Sequence, residues 1–307
     1  MARYSFGIPP TASLILASAL WAVATVISKK LLASVSPITF LIIQLAPSVS
    51  VLWILVLAKG VRPVKWRALL PLVALGWLNP GLSYTLSMLG LTRTTASVAT
   101  LLWAAEPALI VGMAWVVLRE PLTGRLVALT ATAACGVLLV SGVVVDGGSV
   151  AGDEYGTALI LGGVLCCALY TVLSRGAASA VDPLLTVALQ LTMGLVWAVA
   201  IWPLALRGDP VEHALALSPG ELVGGAISGL MYYAAAFWFY LKALRSVRAS
   251  VAGGFLNLTP LFAIATAHVF LGERLTQSQW IGAITILLSV FALLTWSAPP
   301  RARVSIE

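Results

Sequence analysis

One stretch occurs twice in this chain at a constant separation, and that duplication constrains the fold more than any other feature. Ala96, Ser97, Val98 and Ala99, then Pro107, then Leu118, Glu120, Leu122 and Thr123 form the first copy. An offset of 153 residues carries them onto Ala249, Ser250, Val251 and Ala252, Pro260, and Leu271, Glu273, Leu275 and Thr276. The same offset carries Gly76, Leu91, Ala114 and Val116 onto Gly229, Leu244, Ala267 and Val269. Chance can match four small residues, but it does not readily place the same proline, glutamate and threonine downstream. Each copy is an apolar run with a proline near its middle and a glutamate at its far end, which reads as a membrane helix.

A second correspondence lies upstream. Ala22, Thr25, Val26, Ser28, Val35, Pro37, Gln44 and Leu45 fall on Ala168, Thr171, Val172, Ser174, Val181, Pro183, Gln190 and Leu191 at an offset of 146. The difference between the two offsets is a seven-residue insertion, and the polar stretch 204–218 is where it belongs. Ala17-Ser18-Ala19 resembles a signal-peptide cleavage site. A removable leader, however, has no reason to match an internal helix.

Composition supports the membrane assignment. Charged residues make up 9% of the chain and hydrophobic ones 60%, whereas a soluble domain carries about 25% charged residues. A spanning helix needs about 20 apolar residues. Ten stretches qualify: 12–32, 38–58, 68–90, 95–118, 123–143, 155–176, 184–204, 219–242, 249–271 and 277–297. The fold class predicted is an all-α integral membrane protein of ten transmembrane helices, arranged as two five-helix repeats, 1–148 and 149–307. An odd number of helices per repeat forces the repeats into opposite orientations, the inverted arrangement common in transporters. With the N-terminus inside, Lys29, Lys30, Arg93, Arg207 and Arg274 face outward and the other 13 of the 18 basic residues face inward. This bias places both termini in the cytoplasm and the chain in the cell (inner) membrane. The net charge of +7 is thereby a matter of topology, not of nucleic-acid binding. Cys135, Cys166 and Cys167 lie in apolar runs with neither disulfide nor metal spacing.

Ten helices in two inverted halves, each carrying the doubled Ala-Ser-Val-Ala, proline, Leu-x-Glu-x-Leu-Thr pattern, resemble the drug/metabolite transporter superfamily of EamA type. Arg119 stands where that pattern has glycine (Gly272 in the second half), and Pro121 replaces its basic residue. The resemblance implies export of small metabolites by alternating access through a central cavity lined by the third, fourth, eighth and ninth helices. Within the superfamily the chain is similar to amino-acid exporters, including the aromatic amino acid (YddG-like) branch. The alternatives are a proton-coupled drug or quaternary-amine exporter and, from another class, a membrane enzyme or sensor. No Ser–His–Asp set, phosphate loop or His/Cys cluster is present in the sequence, so no enzyme activity, cofactor or metal is expected.

Glu106 is the one carboxylate deep inside a span. A charge there costs a few kcal/mol, so such residues face a cavity and work, or are kept neutral by a neighbouring helix. As a site residue it would contact a substrate amine or carry a proton. Trp103 lies one turn away, with Asn79 and Tyr84 on the third helix and Asn257 on the ninth. Tyr233 and Tyr240 are seven apart on the eighth helix, as are Trp77 and Tyr84 on the third, so each pair is expected to share a face. With Trp238 these aromatics would wall a substrate site suited to an amine. Pro107 and Pro260 are repeat equivalents expected to kink their helices and act as hinges, together with Pro80, Gly253 and Gly254. Their alternative is a static kink. Ala96, Thr100, Ala104, Ala108 and Gly112 form a stripe of small residues, expected to pack the fourth helix within a monomeric chain. Glu120 and Glu273 end their helices as caps or ion-pair partners. The partners implied are a small-molecule substrate and the lipid bilayer.

Overall fold

The computed structural model describes residues 8–31, 35–61, 65–91, 93, 102–103, 105–140, 154–177, 181–205, 217–271 and 276–297. Within them the chain forms ten helical units and no strand. These are α1 (Pro10–Leu31), α2 (Pro37–Lys59), α3 (66–91), α4 (Glu106–Leu118), α5 (Gly124–Val140), α6 (Glu154–Ala177), α7 (Pro183–Ala205), α8 (Pro219–Leu244), α9 (249–271) and α10 (Gln277–Ser297). Among the described residues α1, α2, α6, α7 and α8 reach spanning length and hydropathy as continuous helices. The doubled motif stretches 96–99 and 272–275 lie outside the described residues.

Local chemistry sets the helix ends. Ser36 caps α2 by accepting from the Thr39 amide, with Pro37 as the first helical residue; Gly60, at φ 60°, ends it. Ser218 and Glu221 form a reciprocal capping box at the start of α8. Asp182 accepts from the Leu184 amide at 2.9 Å and pairs with Lys59 Nζ at 2.8 Å, tying the end of α2 to the start of α7. Partial burial alone would raise the Asp182 carboxyl. The hydrogen bonds from Lys59 and the Leu184 amide, with the charges of Lys59 and Arg245, outweigh it and hold the group below its ordinary value.

Large apolar side chains point outward along α2, α4 and α10, including Ile54, Leu57, Val116, Leu288 and Phe291. In water such a surface would drive aggregation; in a bilayer it is the solvent-facing side. Trp66 and Trp280 are exposed near helix starts, as interfacial residues are.

Packing follows the repeat. Helix α1 lies against α8 and α9, and its equivalent α6 lies against α3 and α4. Helix α2 packs on α8 and α7, and α7 packs on α3 and α2. Two further pairings, α4 with α9 and α5 with α10, join a helix to its own equivalent. The two inverted repeats therefore interleave. The crossings explain the matched glycines. A Cβ on Gly76 would fall on the Gln190 carbonyl, 2.8 Å from its carbon; one on Gly229 would fall on the Gln44 carbonyl, 2.5 Å from the Gln44 Cα. The glutamines bridge in the same way. Gln44 Nε2 donates to Ser28 and Ser228 at 3.0 Å each. Gln190 Nε2 donates to Ser174 at 3.4 Å, while its oxygen accepts from Tyr170 at 2.8 Å.

Two local expectations change. The described part of the small-residue stripe does not pack inside the chain: Ala108 is exposed and a Cβ on Gly112 would meet nothing within 4 Å. Helix α4 turns Pro107, Ile110, Val111 and Ala114 inward instead. Pro107 sits in the first turn of α4, after a turn at Ala105, so it starts a helix where a mid-helix kink was expected. In α9 the helix is interrupted at Asn257, in the turn before Pro260 where the expected proline kink falls.

Candidate functional site

Helix α3 is kinked within Trp77–Leu82 and helix α8 contains a π-turn at Leu230–Ala236, the two distortions starting at equivalent positions. In α3 the cause is visible. Pro80 has no amide hydrogen, and Asn79 before it adopts an extended conformation (φ −148°, ψ 123°) in a cis Asn79–Pro80 unit. Nothing comparable stands in α8, where no proline occurs in the π-turn. Such turns concentrate at functional sites because they free backbone groups and re-aim side chains.

Between these distortions lies a cavity of about 230 Å³. Asn79, Tyr84, Trp103, Glu106 and Asn257 line it, with Pro107 and Pro260. Trp21 and Thr25 of α1, Val137 of α5, and Cys167, Tyr170 and Thr171 of α6 line it too. The wall thus draws on seven helices where four were expected. Tyr232, Phe237 and Tyr240 of α8 and Leu256 and Thr259 of α9 complete it. Seven pairs are repeat equivalents: Trp21 and Cys167, Thr25 and Thr171, Asn79 and Tyr232, Tyr84 and Phe237, Trp103 and Leu256, Glu106 and Thr259, Pro107 and Pro260. The cavity therefore lies where the two repeats meet, with chemistry that differs between its halves.

Two expected wall residues lie elsewhere. Tyr233 is buried behind the cavity, stacked on Phe237 at 6.0 Å between centroids and 12° between planes. Trp238 packs on Phe239 at 4.9 Å, with Lys242 Nζ 5.2 Å from its ring centre. The reason is the π-turn, which takes one more residue than an α-turn. It breaks the seven-residue face relation, so Tyr232, eight residues before Tyr240, takes the wall position in place of Tyr233. In α3 the extended Asn79 likewise breaks the face relation, leaving Tyr84 on the wall and Trp77 exposed. Three expected hinge residues are close-packing points. Pro80 lies against Gly194 of α7, Gly253 against Ile110 of α4 at 3.0 Å from an added Cβ, and Gly254 against Leu293 of α10.

The chemistry of the wall is lopsided. Glu106 is its one carboxylate among the described residues, and none of those lining residues is Lys, Arg or His. The Cys167 thiol lies beside the Glu106 carboxyl. Seven aromatic rings surround the space: Trp21, Tyr84, Trp103, Tyr170, Tyr232, Phe237 and Tyr240. Trp21 makes edge contacts with Phe237 and Tyr240 at 5.4 and 5.3 Å. The Tyr84 hydroxyl donates to the Tyr232 hydroxyl, linking α3 to α8. Trp21 Nε1 and Asn79 Oδ1 are buried without a hydrogen-bond partner. A buried, unpaired polar atom costs roughly 1–3 kcal/mol, so these two atoms are poised to gain from a ligand that pairs them. The residues missed from sequence had one signal: Thr25 and Thr171 are a polar pair kept at the same place in both repeats.

Comparison with known proteins follows the same duplication. The model of the EamA-like transporter family matches residues 10–142 and again 154–295. An Archaeoglobus fulgidus protein described as an uncharacterized transporter is 24% identical over 89% of this chain and 94% of its own. Two Bacillus subtilis proteins, the uncharacterized transporters YvbV and YwfM, are each 27% identical, over 92% and 77% of this chain and 90% and 76% of theirs. A protein crystal structure 18% identical in sequence superposes with a TM-score of 0.77, covering 94% of this chain and 98% of that one. At that identity the likeness speaks to the fold.

Proposed function

Because the chain belongs to the EamA-like transporter family, we propose that it is a secondary transporter exporting amino acids, aromatic ones included, and related amine-bearing metabolites by alternating access through this cavity. The observation that carries the proposal is a lone carboxylate, Glu106, facing an aromatic-walled space with no basic residue among its described lining. A substrate ammonium gains a counter-charge from Glu106, a second acceptor from Asn79 Oδ1, and cation–π attraction from the rings. An apolar side chain fills the space between Tyr84, Tyr232 and Phe237. Trp21 Nε1 is available to donate to a carboxylate. The repeats 1–148 and 149–307 rock about the breaks near Pro107 and Pro260, in a cell membrane with both termini cytoplasmic.

One observation favours a second substrate class. A free carboxylate finds only neutral donors on the described wall, so a monocation without one would be held with less uncompensated charge. The substrate would then be a hydrophobic or quaternary amine, with Glu106 exchanging it for a proton. Proteoliposomes separate the two readings. They would be assayed with labelled phenylalanine, with phenethylamine and with a quaternary aryl-ammonium, each with and without a pH gradient. Faster movement of phenylalanine supports the first reading, and faster movement of the two monocations the second. If no amine moves faster than through empty liposomes, both are wrong.

A further inference from the structure

Helix α9 begins at Ala249 without a cap of its own. The residue at its N-cap position is Arg248, whose side chain accepts nothing. The orphan amides are served from the other repeat. Ala249 N donates to Glu120 Oε1 at 2.8 Å, Ser250 N to Oε2 at 3.1 Å, and the Ser250 hydroxyl to Oε2 at 2.5 Å. A carboxylate that takes three hydrogen bonds at a helix N-terminus is well placed for both the bonds and the helix dipole. The turn that delivers it is special. Arg119 ends α4 in the left-handed region, at φ 54° and ψ 31°, and the Glu120 amide returns to Ala114 O at 3.1 Å. The position that holds glycine in the second motif copy is therefore the one that swings the glutamate out toward the partner helix.

The packing beneath is equally close. Gly253 of α9 sits against Ile110 of α4, and an added Cβ there would lie 3.0 to 3.2 Å from three Ile110 carbons. The first half of α9 is thus sealed onto α4 between the cavity and the membrane face where α4 ends. Its other end lies at Asn257 on the cavity wall, where Phe255 O accepts from the Ser18 hydroxyl of α1 at 3.0 Å and Gly254 lies against Leu293 of α10.

We propose that Glu120 is a latch that holds the cavity shut toward the membrane face on which it lies. With the three hydrogen bonds made, the Ala249–Leu256 segment stays on α4. When they break, that segment swings about Asn257 and opens a path to the cavity from that face. The latch rests on the alternating-access part of the proposed function, not on any substrate.

The test needs no transported solute. Cys135→Ser with Cys166→Ser leaves Cys167, on the cavity wall, as the single thiol. In proteoliposomes an impermeant cationic methanethiosulfonate is added from one face and then the other, and the rate of Cys167 labelling is measured. Labelling of Val247→Cys in a Cys167→Ser background identifies the face on which Glu120 lies. Glu120→Gln turns one acceptor oxygen into a donor aimed at other donors. It should raise the labelling rate from that face by about tenfold, a shift of about 1.4 kcal/mol, without raising it from the opposite face. Ser250→Ala, which removes only the hydroxyl bond and keeps the backbone bonds, should raise the same rate severalfold. Rates that stay unchanged in both variants, rates that rise equally from both faces, or a Cys167 unlabelled from either face would each overturn the latch. Because no substrate is present, failure of transport with a working latch would count against the substrate reading alone.

Discussion

The two matched glycines make the sharpest test of the interleaved architecture. Consider Gly76→Ala on α3 and Gly229→Ala on α8. An added Cβ would sit 2.8 Å from the Gln190 carbonyl carbon in one case and 2.5 Å from the Gln44 Cα in the other. Carbon atoms rest at about 3.5 Å or more, so each crossing must widen by roughly 1 Å. The obstacle is backbone, which cannot rotate aside as a long side chain would. Overpacking of this kind costs about 1–3 kcal/mol, with the upper end appropriate here. Widening also strains the Gln44 bridge to Ser28 and Ser228, or the Gln190 bridge to Ser174, at about 1 kcal/mol. Against this stands a gain of up to about 1 kcal/mol from replacing a helical glycine with alanine. The net expectation is a loss of about 2 kcal/mol or more at either site. The control is Gly112→Ala in α4, where an added Cβ meets nothing within 4 Å and the propensity gain of about 0.5–1 kcal/mol stands alone. Thermal unfolding of the three purified variants in one detergent reads the difference: Gly76→Ala and Gly229→Ala should melt below the parent and Gly112→Ala above it. If all three shift the same way by similar amounts, the crossings are not as close as described and the reciprocal packing argument fails.

Other outcomes follow from single side chains. Glu106→Gln keeps shape but removes charge; since a hydrogen bond to a charged group is worth about 1.5–3 kcal/mol, binding of an amine substrate should weaken by roughly ten- to a hundredfold, measured by isothermal titration, with the melting temperature retained. Arg119→Gly should be neutral or stabilising by up to about 1 kcal/mol, and Arg119→Val should cost about 1–2 kcal/mol, because only glycine adopts the left-handed region freely; melting curves of the two separate these outcomes. The Asp182 carboxyl is held below its ordinary value, so its contribution is present above that value and lost as pH falls through the lowered one. With Lys59 half exposed, that contribution is about 0.5 kcal/mol, and Asp182→Asn should remove the acid-side difference in unfolding curves taken from pH 6 to pH 3. Pro107→Ala combined with Pro260→Ala should slow turnover in liposomes more than it weakens binding if the breaks beside them move; unchanged turnover would make them fixed joints.

Why some of this was legible in the sequence and some was not depends on what kind of constraint each residue obeys. Gly76 and Gly229 were found as a matched pair because a crossing at backbone distance admits no other side chain, so both repeats kept it. Gln44 and Gln190 were found for the same reason, each bridging to the equivalent serine sixteen residues before it. Glu106 stood out because a carboxylate among apolar residues has few places to go. What the sequence did not reveal was the register of α8. Its π-turn has no proline to announce it, and a seven-residue rule carried through an unsuspected extra residue selects Tyr233 in place of Tyr232. The clue lay in the repeat itself: the proline that shapes α3 at Pro80 has its equivalent at Tyr233, so a distortion in one copy implied one in the other.

The walls contributed by α1 and α6 were missed for a different reason. Their lining residues are Trp21, Thr25, Cys167, Tyr170 and Thr171, all ordinary occupants of a membrane helix with no charge to draw attention. Yet Trp21 and Thr25 map onto Cys167 and Thr171, so the cavity wall is a property of equivalent positions more than of residue type. That has a consequence for mechanism. A fold built from two inverted copies presents equivalent helices to its centre from both membrane faces, and the breaks at Ala105 and Asn257 sit there as near-equivalents. Direction and substrate must then come from the differences between paired side chains: Glu106 against Thr259, Trp103 against Leu256, Asn79 against Tyr232. Exchanging one such pair, Glu106→Thr with Thr259→Glu, moves the carboxylate to the equivalent place in the other repeat while leaving the composition of the wall unchanged. If the charge recognises the amine through its position near the repeat interface, the exchanged variant should retain amine binding better than Glu106→Thr alone. If the two bind equally poorly, Glu106 depends on neighbours such as Cys167 that only the first repeat's geometry brings beside it.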